Sequence, residues 1–504
     1  MRNSGHATTR CRSNDVGRTR FTVMAVLLAA LLMAAPLSAT TETLTLDRAL
    51  QIAFAESPTI RDVTYILEVS ERNLKAEQAS LKSQFNLTLT PYSHSRDRVF
   101  NSLTARYNTE KVTSSAARFS IVQPIKWTDG TLQVFETLNW RKSSSSFISS
   151  EERENYQSRL TVQFTQPLFT YNRTTLSLRE LELSLENAHL NYAIQKLHVE
   201  NQVTTQFLSL YYKQRSVQIA EEEFANTQES YEIIESKVNA GISAPEELYQ
   251  ADLTRANAKA TLVNSRMDYQ NSLDNFKILL GLPLERDIEA AADVKKQLTE
   301  VNLVEAINHG LEHRMELRQK DISIQNALNE LIRTGAMNEF KASVGLSYGL
   351  TATNEEFSGL FDNTERSQSV ELTINVPLFD WGERRHRLAS SQARVESERL
   401  SAEEERKQVM FEIRQTFRDL QNQRIQIEIA EKNVENARLT YEINLERYRN
   451  GDLSSKDIEF YQNQLSREQL SEIAALINYK LALLELKIRA LWDFEKNTPV
   501  VAKR

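Results

Sequence analysis

Chain breakers are scarce in this sequence: its 504 residues include only 12 Gly and 9 Pro, about 2.4% and 1.8% against usual shares of roughly 7% and 5%. Such scarcity excludes a loop-rich fold, an α/β enzyme with many glycine-bearing turns, and a disordered chain. Cysteine is nearly absent too. The single Cys11 stands in the N-terminal leader, so the rest of the chain holds no disulfide and no cysteine to carry a lipid. Beyond residue 40 there is no apolar run of 18 residues, hence no transmembrane helix, and any membrane part has to be a β-barrel. No clustered basic face marks a nucleic-acid partner. No glycine-rich phosphate loop, nucleophile elbow or zinc motif occurs, which argues against an enzyme and against any cofactor. Apolar residues make up 40%, low for a large globular core, so the long helices bury narrow stripes and not whole faces.

The first forty residues have the pattern of an address segment. Arg2, Arg10, Arg12, Arg18 and Arg20 precede an apolar run from Phe21 to Met33, and Ala34–Ala39 ends in small residues. This pattern predicts a signal peptide over 1–39, cut after Ala39; an uncleaved inner-membrane anchor is the alternative, for which the run is short. The leader carries five Arg and one Asp, so its removal takes the net charge from −7 to −11.

The chain repeats itself. Arg159–Phe169 aligns with Ser369–Phe379 at an offset of 210, placing Pro167-Leu168-Phe169 on Pro377-Leu378-Phe379, Tyr231 on Tyr441 and Gly241 on Gly451. Upstream, Leu46-Asp47-Arg48-Ala49 aligns with Leu303-Val304-Glu305-Ala306 at an offset of 257. The difference between the offsets locates an insertion in the first half, taken as 91–156. The expected first repeat is 40–298, with strands near 85–91 and 159–169 and a helical hairpin over 172–280. The second is 299–504, with strands near 341–350 and 369–379 and a hairpin over 383–495. Neither Gly nor Pro interrupts the chain between Pro167 and Gly241 or between Gly382 and Gly451. Val203, Leu210, Val217, Phe224, Tyr231 and Val238 recur every seven residues, as do Ile413, Leu420, Ile427, Val434, Tyr441 and Tyr448. A period of seven predicts under-wound helices meeting along a left-handed seam.

The strands alternate: Val370, Leu372 and Ile374 fall on one face, Glu371, Thr373 and Asn375 on the other. Segments of this kind suit a wall between lipid and water, or a sheet on a soluble core. Phe169, Tyr171, Phe379 and Trp381 sit where strand gives way to helix, as an interfacial aromatic belt requires, and favour the first. Four strands cannot close a barrel and open edges are not tolerated in lipid, so three copies with twelve strands are expected. The insertion 91–156 is read as an extended extracellular loop, with an added barrel hairpin as the alternative.

Taken together, Leu44–Leu50 followed by Glu56-Ser57-Pro58, the paired Pro-Leu-Phe strand ends, the two glycine turns and the duplication resemble the TolC-like outer-membrane efflux proteins, over residues 44–495. The resemblance implies a mainly α fold with β: duplicated coiled-coil hairpins and short antiparallel strands, making a trimeric twelve-stranded outer-membrane barrel continuous with a periplasmic α-barrel. It implies a passive exit duct in the outer membrane, working as a homotrimer with a periplasmic adaptor and an inner-membrane pump, with no catalytic residues. Such ducts open by untwisting of the periplasmic helix tips. Here the tips correspond to the turns at Gly241 and Gly451. By the same resemblance Tyr448 is a gate tyrosine, Glu247 its carboxylate partner through a hydrogen bond, and Asp457 a member of a charged ring favouring cations. Leu453 and Phe460 depart from the family pattern, replacing a gate arginine and a second ring aspartate. A poreless periplasmic coiled-coil adaptor or scaffold remains the alternative; it accounts for the heptads and the leader but not for the strands. His309 and His313, spaced to share a metal on one helix face, lack a third ligand nearby, so no metal is expected.

Overall fold

A computed structural model describes residues 42–500, apart from 103–104, 146–148, 292–295, 362 and 451. The expected signal peptide therefore lies outside the described residues. The first half runs β1 (Glu42–Leu44), α1 (Leu46–Glu56), α2 (Pro58–Ser80), β2 (Gln84–Asn101), β3 (Arg106–Ile125), β4 (Gly130–Ser145), β5 (Ser149–Leu168), α3 (Arg173–Asn239), α4 (Pro245–Leu280) and β6 (Ile288–Ala290). The second runs α5 (Leu303–His313), α6 (Met315–Gly335), β7 (Lys341–Asn354), β8 (Thr364–Asn375), α7 (Glu383–Asn450) and α8 (Ser455–Ala490). A short β9 (Trp492–Asp493) and β10 (Thr498–Pro499) close the chain.

The unbroken stretches are single helices. α3 has 67 residues and α7 has 68, each about 100 Å long at 1.5 Å per residue. Each pairs with a following helix, α4 or α8. Asn172 caps α3 by accepting from the Thr175 N–H. Gly281 ends α4 in the left-handed region, where an added Cβ would meet the Glu56 carbonyl oxygen at 2.7 Å. The duplication is visible in the packing. Val199 and Val409, Val203 and Ile413, and Leu210 and Leu420 are buried at matched places in α3 and α7. At the other offset, Ala49 and Ala306 are both fully buried. The first set joins α1, α3, α4 and β6 in one core; the second joins α5, α7 and α8. β1 pairs in parallel with β6 and ties the start of the chain to the end of its first hairpin.

The long strands form one antiparallel sheet in the order β2-β3-β4-β5-β7-β8. Sequence reasoning expected four strands per protomer, with 91–156 as a surface loop. That segment is mostly strand, as the alternative of an added hairpin had it: it holds the outer part of β2, all of β3 and β4, and the start of β5. Its backbone polar groups are met by ladder bonds on both sides, β3 with β2 and β4, and β4 with β5. The twelve-strand count rested on four strands and does not carry over to six. The paired Pro-Leu-Phe ends also differ. Pro167 and Leu168 still pair with Ser343 and Ala342, whereas β8 stops at Asn375, before Pro377. A proline has no N–H to give a ladder, and β8 has a partner on one side only.

Among the described residues no helix is long and apolar enough to cross a membrane. The sheet itself has two unlike faces. Phe85, Ile121, Val134, Val162 and Tyr348 share one cross-strand row. The neighbouring row on the opposite face reads Asn86, Ser120, Phe135, Thr161 and Gly349. One face is thus mainly apolar, with Glu136 and Arg366 as exceptions in the next row, and the other mainly polar, with Phe135 as its exception, the pattern of a wall between lipid and water.

Candidate functional site

The two hairpin tips meet. Ile234, Ala251, Tyr448 and Ile458 form a buried cluster, with Tyr231, Val238, Leu248, Tyr441, Leu445 and Leu453 packed around it. The four buried residues come from α3, α4, α7 and α8, so one apolar plug holds both reversals together.

Each reversal is set locally. Gly241 has φ +72° with open space where a Cβ would stand, so the backbone conformation and not crowding calls for glycine there. The Ile242 N–H reaches back to the Lys237 carbonyl at 2.8 Å, the six-residue closure typical of a helix end. The second tip repeats that bond, Asp452 N–H to the Arg447 carbonyl at 2.9 Å; Gly451 itself lies outside the described residues. The restarts differ. Ser454 caps α8, and its hydroxyl donates to the Asp457 carboxylate at 2.6 Å. At α4 the cap position is Ala244, which has no side chain to offer, and Pro245 begins the helix.

The expected gate residues fall at these tips. Tyr448 is buried, and among the described residues its hydroxyl has no hydrogen-bond partner. The bond expected from Glu247 is therefore not made within this protomer. Glu247 is exposed on the first turn of α4, close enough that, after burial, its negative charge is the second cause raising the Tyr448 pKa. The Lys237 ammonium stands 5.4 Å from the centre of the Tyr448 ring, a contact that sequence patterns did not single out. Asp457 is exposed. Leu453 belongs to the apolar plug, and Phe460 is exposed. About three turns back along α3 from Ile234, burial and then the Glu459 charge push the Glu223 carboxyl up, against a hydrogen bond from Ser466. Thr254 donates to Glu459 at 2.9 Å.

The aromatic residues lie at the sheet-to-helix junction. Phe169 and Trp381 are exposed and take positive φ values of 56° and 55°. Phe379 meets Trp381 edge-on at 4.7 Å, and Phe169 lies 5.5 Å from Phe340. Tyr171 is half-buried. Two further aromatic groups went unnoticed in the sequence: Trp127, 87% exposed in the turn between β3 and β4, and the Trp140–Tyr156 cross-strand pair, with Phe357 5.7 Å from Tyr156. Trp140 lies eight residues along β4 from Leu132, about 26 Å of strand, so the apolar face is bounded by aromatics at both ends.

The histidine pair has a structural part. His309 stacks on Trp492 at 4.0 Å, and the His313 ring nitrogen bonds the His309 carbonyl at 3.0 Å. Among the described residues no group of three or more His, Cys, Asp or Glu is placed to hold a metal.

A family model described as outer membrane efflux protein matches residues 131–282 and 306–488. No curated protein matches the sequence. Among solved structures, a membrane protein from Pseudomonas aeruginosa superposes with a TM-score of 0.67 at 15% identity, covering 88% of this chain and 90% of that one. The CmeC outer membrane channel of Campylobacter jejuni gives 0.66 at 13% identity, with 88% and 85% covered. The outer membrane protein VceC of Vibrio cholerae gives 0.64 at 16% identity, with 88% and 95% covered. At such identities the likeness is one of fold.

Proposed function

Since the chain belongs to the outer membrane efflux protein family, whose model matches well over half of it, we propose that it is the exit duct of a tripartite efflux or type I secretion system. It is an outer-membrane efflux channel protein. In the proposed assembly three copies stand together, the sheet in the outer membrane and the helical hairpins in the periplasm. A periplasmic adaptor and an inner-membrane pump supply the cargo. What supports this reading most is the division of the molecule: a sheet with one apolar and one polar face at one end of α3 and α7, and a plug of hairpin tips at the other, about 100 Å away. A poreless scaffold has no use for a lipid-fit face.

The plug is the proposed gate. Tyr448 keeps the tips packed, Glu247 on the same rim offers a carboxylate to it or to a neighbouring copy, and Asp457 contributes one carboxylate per copy around the three-fold axis. Like charges so placed repel one another and favour cations in transit. Phe169, Tyr171, Phe379 and Trp381 form the periplasmic-side aromatic belt. Opening means untwisting the hairpins at the Gly241 and Gly451 turns.

The test is the mass and location of the native protein extracted in mild detergent from separated membranes, followed by conductance in a planar bilayer. A three-protomer outer-membrane species that conducts supports the duct. A soluble species of another stoichiometry rejects it.

A further inference from the structure

We propose that β2 of one copy pairs with β8 of the next, so that three copies close a wall of eighteen strands; this rests on the exit-duct reading above. β2 and β8 are the two ends of the sheet, and β8 is exposed along its whole length. Each therefore presents a row of unpaired N–H and C=O groups, which lipid does not tolerate. The one occupant that satisfies both edges at once is the complementary edge of another copy.

Direction agrees. Six strands in an antiparallel meander leave β2 and β8 running opposite ways, so rotation about the barrel axis sets β2 antiparallel to the neighbouring β8. An odd strand number would have made that seam parallel.

Stagger agrees too. The cross-strand row that starts at Gln84 in β2 reaches β8 at Ser369, and β8 runs on to Asn375, six residues further. The strand ends thus step by six residues per protomer, which is one residue per strand when the seam to the next copy is counted as the sixth step. With strands about 4.8 Å apart and a rise of about 3.3 Å, that step is a tilt of about 35°, at the lower end of the range that closed barrels adopt. Carrying six residues across the seam sets Leu87 opposite Leu372 of the next copy. It also keeps the apolar face continuous, since Phe85, Leu87 and Leu89 then meet Ile374, Leu372 and Val370. At this tilt eighteen strands give a backbone diameter of about 33 Å, where twelve give about 22 Å. The mouth is wider than the four-strand pattern implies, and the added hairpin of β3 and β4 is part of the wall.

The chain after the leader has no cysteine, which allows a clean test. Thr88→Cys is combined in turn with Ser369→Cys, Glu371→Cys and Thr373→Cys, positions on the polar face at and around the expected register. Opposed antiparallel residues lie within disulfide reach. The full-length protein is oxidised in outer membranes and run without reductant. The expected result is covalent dimers and trimers with Thr88→Cys/Glu371→Cys, weaker or absent links at the flanking positions, and none for single variants. Imaging of the detergent-extracted trimer is expected to count eighteen strands. An outer-membrane trimer with twelve strands, or with none of the three links, overturns the inference and leaves the duct reading standing. A chain that forms no outer-membrane trimer overturns both.

Discussion

The Lys237 ammonium lies 5.4 Å from the centre of the Tyr448 ring, so the last turn of α3 reaches across to the last turn of α7. The offset of 210 that relates the two halves puts Val238 where the second half has Tyr448. The seam is therefore not symmetric at its end. One copy supplies a small apolar group, the other a ring that fills the plug and takes a cation on its face. A cation over an aromatic ring contributes about 0.5–1 kcal/mol at an exposed site, which makes the ring's apolar burial the larger part of its worth.

Tyr448→Phe and Tyr448→Ala therefore separate hydroxyl from ring. Among the described residues the hydroxyl has no partner, so Tyr448→Phe is expected to leave tip stability unchanged or raise it by about 1 kcal/mol, since deleting an unpaired buried polar group removes a penalty and no bond. Tyr448→Ala leaves a cavity and is expected to weaken the tips by about 3 kcal/mol. Amide hydrogen exchange over 231–248 and 441–460 reads both. A large loss of protection with Tyr448→Phe would show that its hydroxyl is bonded in the assembly, to a neighbouring copy.

Conductance asks about the gate itself. Glu247→Ala with Tyr448→Phe is expected to raise single-channel conductance in a planar bilayer, and Asp457→Asn to reduce cation preference as a shift of reversal potential in a salt gradient. Tyr448 and Glu247 are not bonded within the protomer, so the effect depends on links between copies, each worth about 0.2–1 kcal/mol and repeated three times. Unchanged conductance in the double variant removes the pair from the gate. An unchanged reversal potential removes Asp457 from the ion path.

Acid sensitivity is expected where the second repeat is tied together. Arg314 is buried between α5 and α6, with Glu412 of α7 at 3.3 Å, and Arg489 of α8 reaches the same carboxylate at 2.8 Å. Burial opposes the Glu412 charge, but the Gln408 amide and the two guanidiniums outweigh it and hold the carboxyl below its ordinary value. A carboxyl with a lowered folded-state pKa stabilises the fold above its ordinary pKa of about 4.3, and that contribution is lost as pH falls through the lowered value. Thermal unfolding between pH 6 and pH 3 is expected to show this loss. Glu412→Gln is expected to be less stable at pH 6 by about 2 kcal/mol and to fall less on acidification. Parallel curves for the two proteins would show that other carboxylates govern the acid limb.

Much of this architecture was legible because burial follows a period. Val203, Leu210, Ile413 and Leu420 recur in sevens and are core residues; the 210 offset survives because the paired positions do the same packing. The added hairpin stood only as the alternative to a surface loop, for an opposite reason. Ser114-Ser115 in β3 and Ser143-Ser144-Ser145 in β4 present small polar groups to both faces, so the outer halves of these strands show no alternation. Only Phe119 and Ile121, or Leu132 and Val134, betray the pleat. The Lys237–Tyr448 contact joins residues from separate hairpins, and no pattern along one helix could pair them.

The duplication also furnishes its own control for close packing. An added Cβ on Gly310 of α5 would stand 2.3 Å from the Ile413 Cδ1 of α7. At the equivalent places the first half has Ala53 and Val203, both buried in the matching core. The first half thus carries one more methyl on the short helix and one fewer methylene on the long one. Gly310→Ala alone is expected to destabilise by about 1–3 kcal/mol through overpacking, and Ile413→Val alone by about 0.5–1.5 kcal/mol through the void it leaves. Combined, they recreate the arrangement of the first half, and the double variant is expected to recover most of both losses. A thermal-unfolding cycle over the four proteins measures the coupling. Additive losses would mean that the two halves hold their short helices at different heights, and that the Gly310 backbone, not its missing methyl, sets the approach.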